Sequence, residues 1–139
     1  MRIMGLLKAD KESEAGVPPS PELMQKMGKF IEEIMKAGVL SATDGLQPSS
    51  KGKRVRLSEG KFTVTDGPFP ETKEVVGGYW MIQVKSKEEA VEWASRCPAS
   101  DNEVIEVRQV LEFADFPADV QKAAAKFPEM QAQSGQQRR

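Results

Sequence analysis

Apolar residues recur along this chain in two patterns, which predict where helices and strands form. Spacings of three and four residues are typical of a helix with one buried face, whereas short apolar runs are typical of strands. The helical pattern predicts two main helices. The first begins after the N-cap sequence Ser20-Pro21-Glu22 and ends at Gly38, and the second begins at a capping box that opens at Ser86 and ends at Pro98. Short apolar runs, which predict strands, occupy residues 2–8, 39–46, 79–84 and 104–111.

A hairpin is predicted between the second and third of these strands. Glu59-Gly60 has the form of a two-residue turn, flanked on both sides by alternating apolar and polar residues. Such a turn fixes the register and pairs Leu57 with Phe62 and Val55 with Val64. The apolar side chains then meet on one side of the hairpin, and the polar side chains share the other side.

Two strand-helix-strand halves around a hairpin predict an α+β fold. The expected architecture is a ferredoxin-like sandwich, in which an antiparallel sheet carries both main helices on one face and leaves the other face bare. Strands that are apolar on both sides would expose a large apolar patch on that bare face, which soluble proteins normally bury in an interface. We therefore expect a homodimer with the two sheets packed face to face. The residues behind this expectation are Met4, Leu6, Tyr79, Trp80 and Met81.

The 139 residues fit a single domain. Residues 1–112 contain the predicted strands and both main helices. Residues 113–128 are expected to add a shorter C-terminal helix, and the glutamine-rich residues 129–139 are expected to form a disordered tail. The polar segment 10–19, which ends in two prolines, is expected to be a loop.

Charge and hydropathy exclude several classes of partner. Twenty basic and 21 acidic residues give a net charge of -1, so the overall charge provides no footprint for nucleic acid or for an anionic membrane surface. No apolar run approaches the roughly 20 residues that span a bilayer. Residues 1–8 are also too short for the apolar core of a signal peptide, and we therefore expect a cytoplasmic protein.

The sequence contains no histidine and a single cysteine, Cys97. Ser-His-Asp and Cys-His catalysis and histidine-ligated zinc are therefore excluded, and one cysteine cannot form an internal disulfide or an all-cysteine metal cluster. Cys97 lies on the apolar side of a predicted helix, which favours a buried and inert thiol. We expect neither a metal nor a cofactor, and any chemistry would depend on carboxylates, lysine, tyrosine or arginine.

The stretch 66–79, DGPFPETKEVVGGY, has the most unusual composition in the chain. It contains two prolines, three glycines, three carboxylates and a lysine, a density of turn-forming and charged residues that predicts an ordered loop. Asp66 would lie at a strand end facing a cleft, and it is the candidate catalytic carboxylate. The alternative is an Asx-type turn, in which the Asp66 side chain accepts hydrogen bonds from local N–H groups.

Four further residues are candidates for ligand contacts. Glu71, Lys73 and Glu74 can supply an acid, a base or an anion contact if they are desolvated. The alternative is a solvated, charged loop with a salt bridge, and this is the interpretation favoured for Glu74. Tyr79 and Trp80 point to opposite faces of their strand, and Tyr79 is the candidate for the ligand side because its hydroxyl needs a partner. Arg108, on the last strand, can hold a ligand carboxylate or form an exposed ion pair.

Several motifs together resemble a known family. Asp-Gly-Pro-Phe from position 66, Glu-Thr-Lys-Glu from 71, Gly-Gly-Tyr from 77 and the helix end WASRCP at 93–98 are similar to the YCII-related family, in its DGPF (DGPFAETKE) subgroup. The resemblance covers roughly residues 1–112. Pro70 departs from it, because the subgroup usually has alanine there.

The resemblance implies a dimeric α+β barrel with a ligand cleft between the sheet and its loops. A better-known branch of the family pairs a histidine with an aspartate. This chain has no histidine, so only Asp66 carries over. Members of the subgroup are similar to proteins found beside or fused to extracytoplasmic-function sigma factors, which implies an accessory or regulatory role.

The sequence therefore leaves three hypotheses. The first is a protein that binds a small organic ligand at the 66–79 loop, with acid/base catalysis by Asp66. The second is a non-catalytic regulatory module linked to an extracytoplasmic-function sigma factor. The third is a purely structural dimer.

Overall fold

The computed structural model describes residues 1–99 and 103–130. Besides three 3₁₀ turns at Ser49–Lys51, Thr72–Glu74 and Phe113–Asp115, this part of the chain forms six strands and four α-helices. In chain order they are β1 (Arg2–Lys8), α1 (Lys11–Glu14), α2 (Pro21–Lys36), β2 (Leu40–Gly45), β3 (Lys53–Ser58), β4 (Lys61–Asp66), β5 (Val76–Gln83), α3 (Lys87–Arg96), β6 (Ile105–Gln109) and α4 (Ala118–Ala124).

Four strands form one antiparallel sheet in the order β2-β5-β1-β6, and β3 pairs with β4 in a separate two-stranded hairpin. The two central strands come from different halves of the chain, β1-α2-β2 and β5-α3-β6. This interleaving is the ferredoxin-like topology. The α+β ferredoxin-like fold predicted from the hydrophobic pattern is thereby confirmed.

The hydrophobic core lies between this sheet and the two main helices. Phe30 and Ile34 of α2 and Ala90 of α3 are buried against the sheet. Trp80 of β5 is 1% exposed and meets Phe30 edge-on, with 6.3 Å between ring centroids. The indole occupies the space above Gly5 of β1, where a Cβ would lie 2.4 Å from the ring. Trp80 thus packs under the helices, and Tyr79 lies on the other face of the strand, as the strand period predicts.

The helix starts follow the predicted capping chemistry. The Ser20 hydroxyl accepts a hydrogen bond from the Leu23 N–H at 3.1 Å, and Pro21 occupies the first turn of α2. The Ser86 hydroxyl accepts from the Glu89 N–H at 3.1 Å in the same way. The Glu89 carboxylate, however, accepts from the N–H of Lys85 at 3.0 Å, one residue before the expected capping-box partner.

The prediction of a plain loop over residues 10–19 is wrong for its first part, which forms the short helix α1. The Asp10 carboxylate accepts from the Ser13 N–H at 2.7 Å, and the Ser13 hydroxyl accepts from the Asp10 N–H at 3.0 Å. The backbone N–H of Ser13 lowers the pKa of Asp10. A four-residue helix is too short to show an apolar period, so only its caps could have revealed it.

The β3–β4 hairpin has the predicted register, with Leu57 opposite Phe62 and Val55 opposite Val64. Glu59 and Gly60 both adopt positive φ, 51° and 77°, as a type I′ turn requires. Every residue of both strands is exposed. The hairpin therefore extends from the sheet instead of adding strands to it.

The face of the sheet opposite the helices is only partly open. Met4 and Leu6 of β1 and Tyr79 of β5 are half-buried there, and Met81 is 6% exposed. At one end the Glu112 carboxylate, which follows β6, receives two hydrogen bonds from the Arg2 guanidinium, at 2.7 and 2.9 Å. The face is therefore a half-buried apolar floor, smaller than the large patch expected from the sequence.

Helix α4 lies within the segment 113–128, where a C-terminal helix is expected from the sequence. The predicted disordered tail covers 129–139: its first two residues, Glu129 and Met130, are helical, which departs from the prediction, and residues from 131 onward lie outside the described part of the chain. No helix in the described part of the chain combines the length and the apolar character needed to cross a membrane.

A candidate ligand cleft beside the 66–79 loop

Ser49 is the anchor of the 66–79 loop. Its backbone N–H donates to Oε1 of Glu14 at 2.9 Å, and its hydroxyl donates to the other oxygen of the same carboxylate in a very short hydrogen bond. The Ser49 Oγ in turn accepts from the Phe69 N–H at 3.1 Å. Ser49 is 8% exposed. Three distant segments of the chain therefore meet at one hydroxyl group.

Gly67 allows the loop to approach this anchor. Its N–H donates to the carbonyl of Gly52 at 3.1 Å, which closes the base of the β3–β4 hairpin. A Cβ at this position would lie 1.8 Å from the Ser49 carbonyl oxygen, so no other residue fits here without movement. The Gly67-Pro68 bond is cis. The Asp-Gly-Pro-Phe motif is thus a structural element that docks onto Ser49.

The rest of the loop is tied to the end of the sheet. Ala9, just after β1, donates to the Val75 carbonyl at 2.7 Å, and Leu46, just after β2, donates to the Gly77 carbonyl at 2.8 Å. The Arg54 guanidinium lies 3.7 Å above the centroid of the Phe69 ring, an attractive cation–π arrangement. The loop and the base of the hairpin thereby form two facing walls.

A cleft of about 560 Å³ lies between these walls. This volume is within the range of small-molecule sites. Its walls are mostly apolar, and Lys51 and Arg54 bring cationic groups to it while Glu74 brings one carboxylate. The described residues that line it are Leu46, Gln47, Pro48, Ser49, Lys51, Gly52, Arg54, Phe69, Glu74, Val75 and Val76.

This arrangement is suited to binding. The side chains of Lys51 and Arg54 can neutralise an anionic group, and the apolar walls can hold the remainder of a small organic molecule. The Ser49 hydroxyl already donates to the Glu14 carboxylate and is buried. It therefore has the position of a structural group and not of an exposed nucleophile.

Three of the five residues proposed from the sequence lie in or next to the loop but outside the cleft lining. Asp66 pairs with Lys53 across the hairpin, with 2.5 Å between Oδ1 and Nζ, and its side chain is 74% exposed. Glu71 and Lys73 are both exposed, the first just before the 3₁₀ turn at Thr72–Glu74 and the second within it. The structure does not bring these three charged groups together around one enclosed volume.

The other two proposed residues, Tyr79 and Arg108, lie on the sheet face opposite the helices. The Tyr79 hydroxyl donates to the Asp44 carboxylate at 3.1 Å, and this hydrogen bond raises the pKa of the tyrosine. Arg108 is 72% exposed and lies 3.9 Å from Oε2 of Glu106. Tyr79 and Arg108 are on strands two positions apart, on either side of β1. They belong to one surface that is separate from the cleft.

The structure adds residues that the sequence interpretation missed. Ser49 and Glu14 are 35 positions apart, and no local pattern relates them. Phe69 and Arg54 belong to the loop and the hairpin, which the sequence does indicate, but their contact depends on how those two elements pack. From the sequence, Glu74 is considered together with Glu71 and Lys73 and interpreted as a solvated charge, yet it is the member of that group that lines the cleft.

No group of three or more histidine, cysteine, aspartate or glutamate side chains is arranged to hold a metal ion within residues 1–99 and 103–130. Cys97, the free thiol, is 7% exposed in the core, and burial raises its pKa. It therefore lacks the exposure and the thiolate character of a reactive cysteine.

Comparison with known proteins agrees with the fold. The family model of the YCII-related domain matches residues 1–114. An uncharacterized protein of Rhizobium meliloti (strain 1021) is 33% identical over 72 residues, which are 52% of this chain and 58% of the relative. This chain therefore spans somewhat more than half of the length of that relative. The match of the family model covers most of the sequence, and the chain belongs to the YCII-related family.

Proposed function

We propose that this protein binds a small organic molecule with an anionic group in the cleft beside the 66–79 loop. The observation that carries the proposal is the meeting of an apolar cleft of about 560 Å³ with two cationic side chains, Lys51 and Arg54. In this arrangement the anionic group faces the two cations, and the apolar part of the ligand lies against the walls. Glu74 favours ligands that also carry a hydrogen-bond donor.

Arg54 has the more specific role of the two cations. Its guanidinium is stacked over Phe69, which limits its freedom before a ligand arrives and lowers the entropic cost of binding. A planar guanidinium also matches a carboxylate with two parallel hydrogen bonds, which the single ammonium group of Lys51 cannot do. We therefore assign carboxylate recognition to Arg54.

The proposed function is binding without an assigned reaction. Asp66 stays the candidate for carboxylate acid/base catalysis, and Glu71 and Lys73 stay candidates for ligand contact. None of the three is buried in the single chain, so their charged forms are solvated. A catalytic role for Asp66 requires a ligand or a second subunit that buries it.

We further propose that the protein acts as a cytoplasmic homodimer, associated through the sheet face that carries Tyr79 and Arg108. The half-buried apolar floor of this face supports an association with another protein surface. A ligand bound at this face would contact Tyr79 and Arg108, and it would be enclosed only by a second subunit, as in a dimeric α+β barrel.

The test is a thermal-shift and calorimetric screen with small aromatic and branched-chain carboxylates, each beside its neutral alcohol. The wild type should bind a carboxylate and not its alcohol. Arg54→Gln should weaken binding about 10- to 100-fold, because a charge-assisted hydrogen bond contributes about 1.5–3 kcal/mol. Arg56→Gln is the matched control, since it removes the same charge two residues along the same hairpin face, outside the cleft lining.

Two results would contradict this function. One is a carboxylate that binds equally well to the wild type and to Arg54→Gln, which would place its site elsewhere. The other is a complete absence of binding in a screen that covers the sizes the cleft accepts.

A second candidate function is a non-catalytic regulatory module that contacts an extracytoplasmic-function sigma factor. The observation that favours it is the exposed apolar side of the hairpin, which includes Leu57 and Phe62 at 61% and 73% exposure. Titration of the protein into a purified sigma factor of this class distinguishes the two functions. Binding that persists in Arg54→Gln would support regulation independent of the cleft.

A further inference from the structure

One side of the β3–β4 hairpin carries positive charge without an ionic partner. Strand pairing places Arg54, Arg56 and Lys61 on the side of the ribbon away from its apolar residues. All three are exposed, and in the described part of the chain none of them forms an ion pair. Lys53, the other basic residue of the hairpin, lies on the apolar side and pairs with Asp66. The unpaired cations of the hairpin therefore share one side.

Each of these cations faces a hydroxyl side chain on the neighbouring strand. Directly opposite residues have Cβ atoms about 4.5–5.5 Å apart, so one oxyanion can accept hydrogen bonds from the cation and from the hydroxyl. Successive pairs on the same side are about 7 Å apart, because a strand rises about 3.4 Å per residue. We call these pairs the cation–hydroxyl row, and in order from the hairpin base they are Arg54 with Thr65, Arg56 with Thr63 and Lys61 with Ser58.

The cation–hydroxyl row contains no carboxylate to balance its charge. Glu59, the acidic residue of the hairpin besides Asp66, lies in the turn. Arg54 and Arg56 are neighbours on one strand, and Lys61 is the diagonal neighbour of Arg56 on the other, so the three positive charges repel one another. A bound anion would remove this repulsion and would stabilise a two-stranded hairpin, which is marginally stable by itself.

The row begins at the cleft. Arg54 lines the cleft, and its guanidinium lies 3.7 Å from the centroid of the ring of Phe69, another lining residue. From this first pair the row continues along the hairpin toward the turn, outside the cleft lining. A ligand whose first anionic group lies at Arg54 would therefore place a second anionic group beside Arg56 and Thr63.

We propose that Arg56 and Thr63 form a second anion site, and that the ligand is an elongated organic acid with two anionic groups about 7 Å apart. This inference rests on the proposed function and narrows its ligand class. Four or five methylene groups between two carboxylates give this span, because each carbon–carbon bond of about 1.5 Å advances an extended chain by about 1.3 Å. The net charge of -1 disfavours a nucleic acid strand as the occupant.

The test compares ligands that differ by one charge. Linear dicarboxylates with two to seven methylene groups are titrated by calorimetry, each beside its monomethyl ester, at low ionic strength because salt screens exposed charges. The measured quantity is the ratio of the two dissociation constants, ester over dicarboxylate. For four or five methylene groups the ratio should be about 10, of which about 2 comes from the two equivalent ends and about 5 from the second ion pair. For two methylene groups, which cannot span the row, it should be about 2.

Two variants test the second anion site directly. Arg56→Gln should lower the ratio for the ligands of matching length from about 10 to about 2, because it removes the cation of that site. Thr63→Val removes only the hydroxyl and should lower the ratio by about 2- to 3-fold. Lys53→Gln is the matched control: it removes the same charge from the same strand, on the apolar side of the hairpin, and the ratio should stay near 10.

The monocarboxylates that test the proposed function carry no second anionic group. Arg56→Gln therefore remains a valid control for them. It becomes a test only when the ligand is long enough to reach from Arg54 to Arg56.

Three results would overturn the inference. The first is a wild-type ratio of about 2 at every chain length, which would show that the ligand meets a single anion site. The second is an Arg56→Gln protein with the same ratio as the wild type for the ligands of matching length. The third is a labelled oligothymidylate that binds more tightly than every dicarboxylate and is lost in Arg56→Gln, which would assign the row to nucleic acid.

The same titrations separate this inference from the proposed function. Esters that bind the wild type and are lost in Arg54→Gln, with a ratio of about 2 at every length, support the cleft and contradict the second site. Dicarboxylates that bind equally well to the wild type and to Arg54→Gln but are lost in Arg56→Gln support an anion site on the hairpin and contradict the cleft. If neither member of any pair binds, both the function and the inference are refuted.

Discussion

Gly67→Ala tests the docking of the 66–79 loop on Ser49. The added Cβ would lie 1.8 Å from the Ser49 carbonyl oxygen and 2.6 Å from its carbonyl carbon, whereas a Cβ essentially never lies within 3.0 Å of such an atom. Both groups are backbone, so no side chain can rotate away. The loop and the Ser49–Lys51 turn must therefore separate by more than 1 Å.

The cost of this separation has two parts. Overpacking at a close contact costs about 1–3 kcal/mol. The movement also strains the hydrogen bonds that Gly67 and Phe69 donate to Gly52 and Ser49, each worth about 1 kcal/mol. Alanine recovers up to about 1 kcal/mol through the entropy of the unfolded chain. We expect a net loss of about 2–4 kcal/mol, which lowers Tm by roughly 10 °C for a domain of this size.

Urea unfolding followed by circular dichroism measures this loss. Gly28 and Gly45 serve as controls, because a Cβ added at either position would meet nothing within 4 Å. Gly28→Ala, within α2, should stabilise the protein by about 0.5–1 kcal/mol, and Gly45→Ala should change stability by less than about 0.5 kcal/mol. A Gly67→Ala protein as stable as Gly45→Ala would refute the close approach of the loop to Ser49.

Three further substitutions or measurements probe other contacts. Ser49→Ala removes the acceptor of the Phe69 N–H and should cost about 1–3 kcal/mol in urea unfolding; a loss under about 0.5 kcal/mol would count against the anchor. Glu112→Ala removes the bidentate contact to Arg2, which is 3% exposed, and should lower the free energy of unfolding by about 2–4 kcal/mol. The double variant Arg2→Met with Glu112→Leu should recover most of that loss, because it leaves no buried charge without its partner. Because burial raises the pKa of Cys97, its thiolate fraction at about pH 8 is below that of a free thiol. A disulfide reagent should therefore label Cys97 rapidly only after the protein is unfolded. Rapid labelling of the native protein would place the thiol at the surface.

Features that depend on neighbouring residues could be predicted from the sequence. The register of the hairpin follows from the alternation around Glu59-Gly60, because a side-chain period of two leaves one pairing that gathers the apolar groups. Helix starts at Ser20 and Ser86 follow from capping chemistry within three residues. The opposite orientations of Tyr79 and Trp80 follow from the strand period.

The candidate site could not be predicted in the same way. The hydrogen bonds between Glu14 and Ser49 join residues 35 positions apart, and both types are usually exposed, so neither attracts notice in the sequence. Asp66 stands out in the sequence because charge and turn residues cluster around it. In the structure, Gly67 and Phe69 make the hydrogen bonds that hold this motif in place, whereas Asp66 pairs with Lys53 at the hairpin base.

The hydrogen bond from Gly67 to Gly52 brings the two ends of the hairpin together at a single point. Residues 53–66 therefore leave and re-enter the domain at one place, and the four-stranded sheet contains none of them. A hairpin joined to the domain at one point can be shortened, exchanged or grafted while the ferredoxin-like core keeps its packing. Because Arg54 belongs to this hairpin, one exchange would alter both the apolar hairpin surface and the chemistry of the cleft.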